Sequence, residues 1–98
     1  MYAIKTLPEF DTWLNGLKDR NTRLRLGRRL DKAKRGNLGD VESVGGGVFE
    51  MREHFGSGWQ MYYGKRGNTL SLMLGGGTKR SQKSDISKAK QRENTLED

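Results

Sequence analysis

The stretch from Val48 to Leu74 limits what this chain can become more than any other. It holds three runs rich in aromatic and aliphatic residues, 48–55, 59–63 and 69–74. Gly56-Ser57-Gly58 and Gly64-Lys65-Arg66-Gly67-Asn68 separate them. Short apolar runs punctuated by glycine-bearing turns predict an antiparallel meander. Strand side chains alternate between faces. One face then gathers Phe49, Met51, Phe55, Trp59, Met61, Tyr63, Leu70, Leu72 and Leu74 and can close a core. The other gathers Glu50, Arg52, His54, Gln60, Tyr62 and Ser71, which predicts an open, polar, partly cationic platform. Glu53 falls on the apolar face and is the one error in the pattern.

The flanking segments predict helices. Residues 1–5 read as a short strand in which Tyr2 and Ile4 alternate with Ala3 and Lys5. Thr6-Leu7-Pro8-Glu9 fits a capping box with Thr6 as N-cap, and Pro8 is tolerated in a first turn. Phe10, Trp13, Leu14 and Leu17 then share one helical face, with an end near Leu17 or Lys18. Asp19 or Asn21 can cap a second helix whose buried stripe is Leu26, Leu30 and Ala33, stopped at Gly36-Asn37. Two helices so closely linked predict a hairpin that covers the apolar face of the meander. Asp40 to Val44 reads as a strand or extended arm. After Gly75-Gly76-Gly77, a last helix from Ser81 or Ser84 to Leu96 carries only Ile86, Ala89 and Leu96, a thin and weakly held stripe. Its N-terminus beside Lys79 and Arg80 is suited to a phosphate, or is an ordinary polar loop. The expected fold class is α+β: a twisted antiparallel sheet packed against an N-terminal helical hairpin, with a C-terminal helix. The 98 residues make one domain, 1–98.

Composition removes several function classes. Without cysteine there is neither a disulfide framework nor a thiolate zinc site, and a cytoplasmic location is expected. No apolar run approaches a membrane span, so no membrane partner is expected. The single histidine, His54, rules out a histidine pair for RNA cleavage, and no carboxylates stand at metal-ligand spacing. No Gly-x-Ser-x-Gly elbow or dinucleotide fingerprint occurs, so neither a metal nor a cofactor is indicated.

The net charge of +7 is concentrated. Residues 18–35 hold nine positive and two negative side chains, which accounts for the whole excess. Such a stripe is the footprint of a polyanion partner, a solvated helix face, or a surface for an acidic protein. Arg23, Arg28, Arg29, Lys32 and Arg35 are its candidate RNA contacts, joined by His54 and Arg80 beside the platform. On the platform, Arg52 and Tyr62 on adjacent strands and Lys79 from the following loop are the candidate catalytic side chains. Arginine and lysine neutralise phosphate, and a ring can stack a base. Metal-free cleavage by a 2′-hydroxyl needs a base, an acid and charge stabilisation, which lysine and arginine can supply.

An ordered set of short words carries a family resemblance. It comprises Phe10-x-x-Trp13-Leu14-x-x-Leu17-Lys18, Arg29-Leu30 and Gly36-Asn37-Leu38-Gly39-Asp40. It continues with Val44-Gly45-x-Gly47-Val48-Phe49-Glu50-Met51-Arg52, Gly56-x-Gly58-Trp59, Tyr62-Tyr63 and Leu74-x-Gly76. It closes on Lys79-x-x-Gln82-x-x-Asp85-Ile86-x-x-Ala89. From about Tyr2 to Ala89 the chain resembles the RelE/ParE superfamily of toxins of type II toxin–antitoxin systems. The likeness is closest to the addiction-module killer proteins, which are HigB-like.

The resemblance implies a RelE-like fold and a small basic endoribonuclease that stops translation by cutting messenger RNA, in many members on the ribosome. It also implies a cognate antitoxin with a helix-turn-helix domain. By position, Arg52 looks like the strand arginine of the family's Glu-Leu-Arg word, and Lys79 like the lysine of its Gly-Gly-Asp-Lys word. Two departures stand out. Gln60 occupies a position where the family usually has arginine, and Thr78 one where it usually has aspartate. Gln60 is therefore a site position of altered chemistry, and activity is expected to be impaired. Two other readings stay open on the same fold: a ParE-like inhibitor of DNA gyrase, and a non-catalytic RNA- or partner-binding module.

Overall fold

The computed structural model describes residues 3–67 and 70–96. In chain order the elements are β1 (Ala3–Thr6), α1 (Pro8–Asn15), α2 (Arg20–Lys34), β2 (Val41–Gly45), β3 (Val48–Glu53), β4 (Trp59–Arg66) and β5 (Leu70–Thr78). A 3-10 turn (Lys79–Ser81) then leads into α3 (Gln82–Thr95). The strands make one sheet in the order β1-β5-β4-β3-β2. β2 to β5 form the antiparallel meander, but β1 lies parallel to β5. The sheet is therefore mixed rather than wholly antiparallel. The helices between β1 and the meander supply the long crossover that a parallel neighbour requires.

The two faces of the sheet carry separate cores. Met51, Met61, Tyr63 and Met73 pack on Phe10, Leu26, Leu30 and Ala33 of α1 and α2. Val48, Tyr62 and Leu74 pack on Ala89, with Ile86 beside it, from α3. The helical hairpin thus covers the apolar face, and α3 adds a second apolar layer on the face expected to be polar.

Local chemistry explains the boundaries. Asp19 caps α2, accepting from Asn21 N at 3.3 Å and Thr22 Oγ1 at 2.7 Å. These bonds lower its pKa and satisfy donors that helix starts leave open. Thr6 does not cap α1. It ends β1, paired with Met73, and Leu7 holds the N-cap position without a side-chain bond. The sheet's backbone bonds outcompete the capping box there, and α1 stops at Asn15, short of Leu17.

The leucines of β5 also depart from expectation. Leu72 lies opposite Gly64, and Leu72 and Leu74 belong to the α3 cluster rather than to the face of Met61 and Tyr63. Ser71 pairs with Ile4 and is buried on the hairpin side rather than on a polar platform. A bulge at Leu74, between the pairs Tyr63–Met73 and Tyr62–Gly75, resets the register beyond it. Tyr2, Thr69 and the side chain of Leu70 lie outside the described residues.

α3 is held more firmly than its thin stripe predicts. Ala89 is fully buried, Arg66 forks onto Glu93 at 2.9 and 3.1 Å, and Arg92 Nη1 donates to the Leu74 carbonyl at 2.7 Å. Bare glycines let it approach. A Cβ on Gly64 would strike Glu93, and one on Gly75 would strike Arg92.

Candidate functional site

Strand register brings the predicted catalytic positions to one end of one face. Arg52 on β3 lies opposite Gln60 on β4, and Gln60 lies opposite Gly77 on β5. Lys79 follows two residues later, exposed, its aliphatic stem within 3.4 Å of where a Cβ on Gly58 would stand. Arg52 and Gln60 thus share one end of one face, and Lys79 lies beside the β3–β4 turn at that end.

The corner is not an open platform. α3 lies across the face, and Tyr62 is fully buried while Glu50 and Gln60 are each 2% exposed. Gln82 Nε2 donates to Glu50 Oε2 at 2.7 Å. Burial, and then the Glu50 carboxylate, pushes the Tyr62 hydroxyl far above the usual phenol range. Tyr62 is therefore neutral and shielded, which corrects its expected role as a ring against substrate. Asp85, in the first turn of α3, bonds Ser81 Oγ at 2.5 Å and lies over Gly77. It places a carboxylate at the helix start, which favours the ordinary polar loop over a phosphate site.

Arg52 carries partners that the sequence reading did not foresee. Its Nη2 donates to Asp40 Oδ1 at 2.8 Å and its Nη1 to Glu42 Oε2 at 2.5 Å. The Arg52 amide also donates to the Asp40 carbonyl at 2.9 Å. Both carboxylates raise the arginine's pKa, Asp40 most. The same bonds, with a 2.6 Å contact between Asp40 Oδ2 and His54 Nε2, lower the Asp40 carboxyl to about 2. Glu42 stands opposite Glu50 across β2 and β3, an arrangement that repels. Arg52 relieves one acid and Gln82 the other. The signal was present: acids at 40 and 42 sit two apart, as same-face strand residues do, but nothing in the sequence says which strand they flank.

Three buried polar atoms on this face, Arg52 Nε, Gln60 Oε1 and the Tyr62 hydroxyl, make no hydrogen bond among the described residues. Arg52 and Gln60 are register partners. A buried polar atom left unpaired costs about 1–3 kcal/mol.

The basic stripe divides into structural and free members. Arg23 donates to the Leu17 carbonyl. Arg29 is buried against Gly39, pairs through Nε with Glu53 Oε2 at 2.9 Å and donates to the Asp40 carbonyl at 3.2 Å. Glu53 is therefore no error, since it answers Arg29. Arg29, 6% exposed and paired, holds the fold together rather than facing a ligand, while Arg23 stays partly exposed. Arg28, Lys32, Arg35 and Arg80 are exposed, and His54 is exposed but tied to Asp40. Among the described residues no three His, Asp or Glu side chains form a metal-binding group, and no helix is long and apolar enough to cross a membrane.

Fold and site together define an α+β domain with a five-stranded mixed sheet between helical layers and a cationic corner closed by its own carboxylates. The chain is 38% identical over 87 residues to an uncharacterized protein of Haemophilus influenzae, covering 89% of this chain and 88% of that one, and it belongs to that protein's family. No family model matches it.

Proposed function

We propose that this chain is the toxin of a type II toxin–antitoxin pair, a RelE/ParE-superfamily protein of the HigB-like branch with a RelE-like fold. In this reading it is a cytoplasmic endoribonuclease that cuts messenger RNA on the ribosome without a metal. Its partners are then messenger RNA, the ribosome and a cognate helix-turn-helix antitoxin. The observation that carries the reading is the Arg52–Gln60 register pair at the end of the sheet where the stem of the exposed Lys79 runs beside Gly58. In the reaction the 2′-hydroxyl passes its proton to water as its oxygen attacks the adjacent phosphorus. The P–O5′ bond then breaks, leaving a 2′,3′-cyclic phosphate, and the 5′-oxygen takes a proton from water. Lys79 balances charge on the phosphorane, and Arg52 joins it once a phosphate displaces Asp40 and Glu42. Gln60 donates a hydrogen bond where an arginine would add charge, which lowers the rate.

A non-catalytic RNA- or partner-binding module is the second reading. Arg52 arrives already neutralised by two carboxylates, and Gln60 is uncharged.

Induction in cells, with labelled amino-acid incorporation followed beside a DNA-damage reporter, tests the proposal. Prompt loss of incorporation, reversed by a helix-turn-helix protein encoded next to this chain, supports it. Early DNA damage with translation intact would point to gyrase and overturn the ribonuclease assignment. Unchanged growth and translation would leave the binding module.

A further inference from the structure

α2 and β3 enclose a cleft of about 150 Å³ lined by Arg25, Arg28, Arg29, Lys32 and Glu53. Arg29 and Glu53 neutralise one another at 2.9 Å. Arg25, Arg28 and Lys32 remain, all exposed, and none has a carboxylate partner among the described residues. Arg28 and Lys32 are four residues apart on α2, about 6 Å along the axis. The cleft is therefore a concave site with three uncompensated cations.

It does not end there. The Arg25 guanidinium lies 3.9 Å above the Phe55 ring. Phe55 stands 6.4 Å from Trp59, and Trp59 stands 6.4 Å from Trp13. All three rings pack on the edge of the hydrophobic core and each keeps part of its surface exposed. Trp59 directly follows Gly58, along which the Lys79 stem runs. Arg25, Phe55, Trp59 and the Lys79 stem thus follow one another around the β3–β4 turn, with a cation at each end of the pair of rings.

We infer that this cleft and the aromatic row beside it form a track for single-stranded RNA. Arg25, Arg28 and Lys32 bind successive phosphates, and Phe55 and Trp59 offer ring surface to unpaired bases. Cations interleaved with accessible rings are what sequence-tolerant single-strand binding uses. A duplex hides its bases from such rings, and an acidic protein would use the cations but not the row. The track rests on the proposed RNA target, and it supplies that target's path to the corner.

The test uses the full chain and a fluorescein-labelled 2′-O-methyl oligouridine of about twelve nucleotides. This probe lacks the nucleophile for cleavage, so binding is read alone. Anisotropy is followed against salt for the wild type, for Arg25→Gln/Arg28→Gln/Lys32→Gln, and for Lys18→Gln/Arg20→Gln/Lys34→Gln. The last variant removes equal charge from the same helix and the residue before its cap, outside the cleft. The cleft variant should bind at least about tenfold more weakly, with a salt slope lower by about 2, as three lost contacts to a single strand require. The control variant should keep most of the affinity, and the bound probe should quench tryptophan fluorescence. Equal losses in both variants, or tighter binding to a duplex or an acidic polypeptide than to the probe, would overturn the track. Messenger RNA cleavage by the wild type with unchanged binding by the cleft variant would sink the track and leave the ribonuclease standing. Lost binding in the cleft variant without any cleavage by the wild type would do the reverse.

Discussion

Asp40 Oδ1 accepts from Arg52 Nη2 at 2.8 Å while its other oxygen meets His54 Nε2 at 2.6 Å. One carboxylate thereby fixes both candidate RNA-facing groups of β3 and its end. The bonds lower the Asp40 pKa from 3.8 to about 2. A carboxyl whose folded pKa is depressed contributes stability that is present above its unfolded pKa and lost as pH falls through the folded one. The window therefore runs from about pH 4 down to about pH 2. Denaturation midpoints across that range should fall for the wild type, and Asp40→Asn should remove part of the slope. An unchanged slope would show that the pairing adds nothing in solution.

Glu42 competes for the same guanidinium from the edge strand, its side chain 59% exposed. Surface ion pairs contribute little to stability, so Glu42→Gln should leave the melting midpoint nearly unchanged. It should nonetheless tighten binding of an RNA oligonucleotide several-fold, because a phosphate no longer displaces a carboxylate from Arg52 Nη1. Weaker binding would assign Glu42 to positioning Arg52 rather than competing for it.

Gly76 is where α1 meets β5. Its backbone is ordinary for any residue, but a Cβ there would lie inside the contact distance of the Trp13 ring. Gly76→Ala should cost about 1–3 kcal/mol through overpacking and shift the emission of Trp13. Full stability with unshifted emission would mean that the indole packs elsewhere.

Gln60 is buried beside Glu50 and Asp85, the two acids whose charge reaches the adjacent Tyr62. A cation at this position meets counter-charges already in place, so Gln60→Arg should fold. It should raise ribonuclease activity by about tenfold or more, in line with one added donor to a developing charge. Equal activity would remove position 60 from the chemistry.

The elements were legible where local chemistry agreed with packing. The stripe Leu26, Leu30 and Ala33, the Asp19 cap and the glycine-separated strands all reappear in the fold. The failures share a cause. Thr6 was claimed by the sheet, and the leucines of β5 turned toward α3, because sheet partners decide which side an alternating strand shows. The polar face looked open because α3 has so little apolar surface. It is held instead by Gln82 on Glu50, Arg66 on Glu93 and Arg92 on a backbone carbonyl, and such polar contacts leave no periodic signal. Arg52 was legible as a cation on the polar face, whereas its two acidic partners depended on β2 joining the sheet beside β3.

The central claim is that the Arg52–Gln60–Lys79 corner cuts RNA. Purified chain added to ribosomes translating a defined message, with the 5′ ends mapped by primer extension, tests it most directly. The account predicts new ends within the message, lost in Lys79→Gln and strengthened in Gln60→Arg, without added metal. An intact message with both the wild type and Gln60→Arg would contradict it.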